Sequence, residues 1–260
     1  MPINLLAQTG TDSNKDMVSD EVLATVNTVN LATLTAFTAL CGIVANVLNI
    51  VVFLRQGFND TVNIGLFGLA LSDLCSLIAL EGVCIFWNPM IIRELPVIAQ
   101  EVQHLIACWP QTCFARITSS ITVYITFERC LCVVIPLSVK RVITPRVTTC
   151  VVVGIYTTTV VMIIPEYATC YMGWKLIPEQ NRSLLGLILF PGRYETTRVN
   201  FNLGVGTQVA LFGGLVVFSV LLVVKLKEKS RWRQSVGISG NSSKKLSSVK
   251  ENRTVKMITL

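Results

Sequence analysis

VLATVNTVNLATLTAFTALCGIVANVLNIVVFL, residues 22–54, contains no charged side chain. A helix needs about 20 mainly apolar residues to cross the hydrocarbon of a bilayer. The stretch is longer than that, and the spanning helix is placed at 31–54. Four further blocks read the same way. One runs over 62–80 and is interrupted only by Asp73; one runs over 110–135 and holds Arg116 inside it. The blocks at 147–165 and 199–224 carry no charge at all. Pro110 suits a first helical turn, and Pro136 cannot continue a helix.

Composition agrees with the blocks. Apolar residues make up 52% of the 260 residues and charged residues 14%, with a mean hydropathy of +0.62. A soluble domain carries about 25% charge, and a disordered chain needs low hydrophobicity with high charge. The expected class is therefore an all-α integral membrane protein. Residues 1–30 form a polar, acidic N-terminal segment, 31–224 the helical bundle and 225–254 a basic, serine-rich loop. Residues 255–260 read as the start of a sixth helix. No basic run followed by a short apolar core opens the chain, so no cleavable signal peptide is expected.

The net charge is +7. In a nucleic-acid binder such an excess lies on one folded face; here it sorts by topology. Five alternating spans with the N-terminus outside leave Arg55, Arg129, Lys140, Arg141, Arg146 and the ten lysines and arginines from Lys225 to Lys256 on the inner side. Only Lys15, Arg93, Lys175, Arg182, Arg193 and Arg198 remain outside. Positive charge favours the cytoplasmic side, so the expected location is the plasma membrane, multi-pass, with the N-terminus extracellular and residues 225–254 cytoplasmic. No nucleic-acid partner is needed to explain the charge.

Four intramembrane charges stand out, because an ionisable group in hydrocarbon is costly. Asp73 lies about eleven residues into its span, roughly 16 Å deep at 1.5 Å per residue, and must be protonated, paired or bound to an ion. Glu128 and Arg129 are adjacent at the inner end of the third span. There the helix dipole favours the arginine, and a carboxylate can hold it; an ordinary snorkelling arginine is the plainer reading. Arg116, thirteen residues earlier, sits roughly 20 Å farther out. It suits an anchor for an acidic ligand group, or equally an arginine reaching the outer headgroups.

Thr126-Phe-Glu-Arg-Cys-Leu-Cys-Val-Val-Ile-Pro-Leu137 places Pro-Leu seven residues past Arg129. Gly42-Ile-Val-Ala-Asn46-Val-Leu lies in the first span, and Asn63 followed by Leu69-Ala-Leu-Ser-Asp73-Leu in the second. Together, in this order, they resemble the signatures of the rhodopsin-like G-protein-coupled receptors, with wording around 127–145 closest to invertebrate chemosensory or peptide-type receptors. The resemblance covers roughly 31–260. Cys130 stands where an aromatic residue is usual, Ile155 or Tyr156 stands near the place of the fourth-helix tryptophan, and the fifth span has no proline. The resemblance implies a seven-helix bundle of which about five helices are present, so the chain reads as a fragment or truncated receptor with little signalling of its own.

The resemblance further implies the roles. Glu128, Arg129, Pro136 and Leu137 belong to the G-protein switch. Asn46, Asp73, Thr118 and Ser119 surround a sodium ion and water, or form a purely structural polar network. One disulfide ties the outer end of the third helix to the second outer loop; Cys170 is the loop member, with Cys108 as partner and Cys113 as the alternative. Asn181 heads the one N-glycosylation sequon on the expected outer side. The implied partners are a heterotrimeric G protein and an extracellular peptide or acidic small molecule. No metal or other cofactor is expected, and no enzymatic motif is found. The alternatives are a transporter or channel fragment, with Asp73 and Arg116 lining a path, and a truncated receptor that acts by association with a full-length partner.

Overall fold

The computed structural model describes Val26 and residues 33–88, 95–136, 138–178 and 182–258, with Lys140 and 233–258 described by their backbone alone. The structure is mostly helical, 82%. Among the described residues, five helices are long and apolar enough to cross a membrane. We label these α1 (Ala36–Gln56), α2 (Thr61–Phe86), α3 (Ala99–Val134), α4 (Pro145–Ala168) and α5 (Arg193–Ile258). Most of the N-terminal segment expected over 1–30 lies outside the described residues.

Local chemistry sets several of the boundaries. α1 ends at Gly57, whose φ of 80° favours glycine; its N–H bonds back to the Phe53 carbonyl at 3.1 Å. Asn63 then closes the α1–α2 turn by donating from Nδ2 to the Gly57 carbonyl at 2.6 Å. Asp60 caps α2 through the Val62 N–H, and Thr144 caps α4 through the Val147 N–H, with Pro145 in the first turn.

Two expectations are corrected. The helix expected at 110–135 begins at Ala99, because a π-turn at His104–Cys108 widens the ladder just before Pro110. A proline in a regular α-helix interior removes a hydrogen bond and clashes with the carbonyl four residues back. The basic stretch 225–254 is helical and continues α5 to Ile258, so 255–258 do not open a separate helix; residues 259–260 lie outside the described residues. No proline occurs after Arg193, and 225–234 are mainly strong helix formers, which carries the helix past Val224. The mostly helical structure agrees with the expected all-α membrane class and carries one addition. Strands β1 (Cys170–Ile177) and β2 (Arg182–Leu189) form an antiparallel hairpin, with Cys170 opposite Leu189 and Ile177 opposite Arg182.

The hairpin sits against the start of α3. Ile98 N–H donates to the Leu185 carbonyl at 2.8 Å, and Leu185 N–H donates to the Pro96 carbonyl at 2.9 Å. Glu101 accepts from the Leu187 N–H at 2.6 Å and from Lys175 Nζ at 2.8 Å. Tyr167 of α4 donates to the Leu105 carbonyl. Leu105, Cys170 and Leu187 make a small apolar cluster beneath the strands.

α3 is the central element, touching α2, α4 and α5. Ile117 and Ile121 are fully buried with Cys113 and Val152 at the main core. Small residues permit the close approaches: a Cβ on Gly68 would lie 2.8 Å from Val152 Cγ1. α3 and α5 run parallel, since Ser119 meets Gln208, Val123 approaches Gly214 and Phe127 stacks on Phe218. Outward, the bundle shows Phe37, Leu48, Val209 and Phe212, each more than 60% exposed; Ser72, Thr148 and Glu166 are fully buried. A soluble monomer rarely exposes such broad apolar surface, whereas a lipid-facing helix requires it.

Candidate functional site

Polar chemistry collects at three levels. At mid-bundle, Asp73 Oδ1 accepts from Thr118 Oγ1 at 2.7 Å. Thr118 Oγ1 also lies 2.9 Å from Ser72 Oγ. The structure therefore brings together two of the four residues expected there. Asn46 donates instead to the Gly42 carbonyl of its own helix at 3.0 Å. Ser119 faces α5, donating to the Ala115 carbonyl and accepting from Gln208 Nε2 at 3.3 Å. The reason is angular: adjacent positions on a helix lie on different faces, so Thr118 and Ser119 cannot both meet α2. Ser72 is the member that sequence reasoning missed; it precedes Asp73 and was passed over as part of the motif spelling.

Near the level of this group, α4 contributes a tyrosine. Tyr156 O–H donates to the Gly68 carbonyl at 2.8 Å, beside the Gly68–Val152 contact. Lower down, Tyr124 and Thr148 meet at 2.9 Å. Tyr156, near the expected tryptophan position, thus joins α4 to α2 directly.

At the α1–α2 turn end, Glu128 is 4% exposed and accepts from Thr61 Oγ1 at 2.5 Å. Arg129 is exposed, and no ion pair joins it to Glu128 among the described residues. The pairing of these neighbours is corrected: successive side chains diverge around a helix, and Glu128 faces α2. Pro136 is exposed in the turn after α3; Leu137 lies outside the described residues. A cavity of about 440 Å³ at this end is lined by Val133, Val134, Lys225, Glu228, Lys229 and Trp232.

At the hairpin end, a cavity of about 470 Å³ opens between α3 and α5. From α3 it is lined by His104, Cys108, Trp109, Gln111, Thr112, Ala115, Arg116 and Ser119, and from α5 by Phe201, Gly204, Val205 and Gln208. The α3 set follows the three-to-four spacing of one helix face. Arg116 is half-buried, and its guanidinium lies against Gly204, where any Cβ would collide with it.

Two features of this end were not anticipated. Glu166 is fully buried and pairs with Arg193 Nη2 at 3.1 Å. Its Oε2 also accepts from Thr197 Oγ1 and its Oε1 from Asn200 Nδ2, both at 3.1 Å. The available signal was placement: Glu166 ends one charge-free block and Arg193 precedes the next, at the same end of consecutive antiparallel helices. The second feature is Trp109, whose indole Nε1–H is buried without a hydrogen-bond partner among the described residues.

Cys108 and Cys170 are both free thiols, which corrects the expected bridge. Cys170 Sγ donates to the Glu166 carbonyl at 3.3 Å, and Cys108 Sγ accepts from Gln103 Nε2 at 3.8 Å. The alternative, Cys113, is also free and buried, directed at the Thr159 carbonyl of α4 rather than at the hairpin. Asn181 lies outside the described residues.

No protein-family model matches the chain, and no curated protein matches it.

Proposed function

We propose that the protein is a multi-pass membrane receptor of the rhodopsin-like type, with the hairpin end outside the plasma membrane and the Arg129 end facing a cytoplasmic G protein. The observation that carries the reading is the Asp73–Thr118 hydrogen bond. It puts the second-helix aspartate of the motif resemblance against the polar face of α3 in the middle of an apolar bundle, at a depth where a carboxylate is expensive unless it has a role.

The rest of the geometry fits that role. The hairpin-end cavity offers Arg116 to a ligand. At the other end Glu128 is held by Thr61, which leaves Arg129 exposed. Ligand binding at the first end would favour one packing of α3 against α5 over another, and a G protein at the second would respond to that population shift. A sodium ion beside Asp73 belongs to the same reading.

The test is nucleotide exchange on a heterotrimeric G protein in membranes of cells expressing the protein from its own transcript. Exchange that is present in the wild type and lost in Arg129→Ala, at equal surface level, supports the reading. Exchange indifferent to Arg129, or no exchange even when the sixth and seventh helices of such a receptor are co-expressed, overturns it; flux of a solute into sealed vesicles would replace it with the transporter reading.

A further inference from the structure

The hairpin-end cavity has an electrostatic and hydrogen-bonding deficit that defines what would fill it. Arg116 makes no hydrogen bond or ion pair among the described residues. Among the described residues no aspartate or glutamate lines the cavity. The carboxylates nearby in the fold are committed elsewhere: Glu101 to Lys175 and the Leu187 N–H, Glu166 to Arg193, Thr197 and Asn200, and Asp73 to Thr118. Glu81 has a buried oxygen without a partner, but it stands on α2 and does not line the cavity. A partly buried cation is costly without an anion, and no carboxylate among the described residues supplies one to Arg116.

The cavity's own hydroxyls do not need a ligand. Thr112 donates to the Cys108 carbonyl and Ser119 to the Ala115 carbonyl. The Trp109 indole N–H does need one, since it is buried and unpartnered among the described residues. Trp109 and Arg116 are seven residues apart, hence on one face of α3 and roughly 10 Å apart along its axis. Between them the walls are apolar: Ala115, Phe201 and Val205, with Gly204 giving the guanidinium its room.

We propose that this cavity binds a small monoanionic carboxylate with an apolar body and a second hydrogen-bond acceptor at its far end. The acid pairs with Arg116 and the far acceptor takes the Trp109 N–H. Amines are disfavoured by the lone positive charge, and a dianion would find only one cation. The inference narrows the ligand of the receptor reading and rests on that reading only for the claim that occupancy is signalled.

The probe is radiolabelled 4-benzoylbenzoate, which carries a carboxylate, two rings and a para ketone, and which cross-links on illumination. Its methyl ester is the control. The full chain is labelled in lipid nanodiscs and the cross-link is mapped. The expected result is saturable labelling within 109–134 or 193–208 by the acid and not by the ester. Arg116→Gln should weaken it on the order of tenfold or more, as loss of a hydrogen bond to a charged group implies, with Arg116→Lys recovering part of the affinity. Trp109→Phe should weaken it several-fold and leave the preference for acid over ester. Circular dichroism of each variant separates lost binding from lost folding. Equal labelling by acid and ester, or labelling unchanged in a folded Arg116→Gln, overturns the proposal. Arg116-dependent labelling that never alters nucleotide exchange leaves the ligand class standing and removes the receptor reading. G-protein exchange that responds to Arg129 while labelling ignores Arg116 does the reverse.

Discussion

Removing the Glu166 carboxylate should destabilise the protein by about 3–5 kcal/mol, the usual consequence of deleting one partner of a buried ion pair. Glu166 is fully buried and Arg193 only 11% exposed at its side chain, so water cannot take over either charge. In Glu166→Ala the guanidinium keeps only the residue-166 carbonyl and Thr169 Oγ1, while Thr197 and Asn200 lose their acceptors. Glu166→Gln retains the volume and one carbonyl oxygen and should cost less. Removing both charges with apolar residues of similar volume, Glu166→Leu with Arg193→Met, should restore most of the loss, because no unpaired charge then remains. The assay is reversible unfolding in mixed micelles for the wild type, Glu166→Leu, Arg193→Met and the double variant, with Glu166→Ala and Glu166→Gln alongside. The single variants should be much worse than the double, giving a coupling energy of several kcal/mol, well above the about 0.5 kcal/mol expected of independent sites. A Glu166→Ala cost below about 1 kcal/mol, or strictly additive single costs, would refute the view that this pair joins α4 to α5.

The same reasoning gives three further expectations. Thr118→Val removes the hydroxyl that donates to Asp73 and meets Ser72, and should cost about 1–3 kcal/mol; Asp73→Asn in that background should recover part of it, read in the same unfolding assay. Gly68→Ala drives a Cβ to 2.8 Å from Val152 Cγ1 and should destabilise by about 1–3 kcal/mol. Gly154→Ala, which meets nothing within 4 Å, should be neutral or stabilising by up to about 1 kcal/mol. Glu101→Ala should speed hydrogen exchange at the Leu187 amide far more than Lys175→Ala does. The first removes the acceptor of that N–H, whereas the second only breaks a partly exposed ion pair; equal protection in both variants would rule out the Glu101 clamp.

The helical blocks were legible because membrane-spanning helices are specified by composition over about 20 residues, a property of the chain that needs no partner. The resemblance put Thr118 and Ser119 alike beside Asp73, and the structure brings only Thr118 to it. What was not legible depends on direction around a helix axis and on contacts between distant segments. Thr118 turns to α2 and Ser119 to α5, although they are neighbours. Glu128 turns to Thr61 and leaves Arg129 behind. The early start of α3 depends on a π-turn and on a hairpin some 80 residues later in the chain.

The sequence by itself determined five apolar helices, their order and the segregation of cationic residues to alternate connections, since each follows from local hydrophobicity and charge. Only the tertiary structure decided which polar groups are satisfied within the protein and which are left for something else. Glu166 is closed by Arg193, Thr197 and Asn200 from α5, while Arg116 and Trp109 line a cavity against the same helix to which no carboxylate among the described residues contributes. Burial makes each unpaired charge or donor expensive, and whether a partner is present is a fact of packing in space, not of position along the chain.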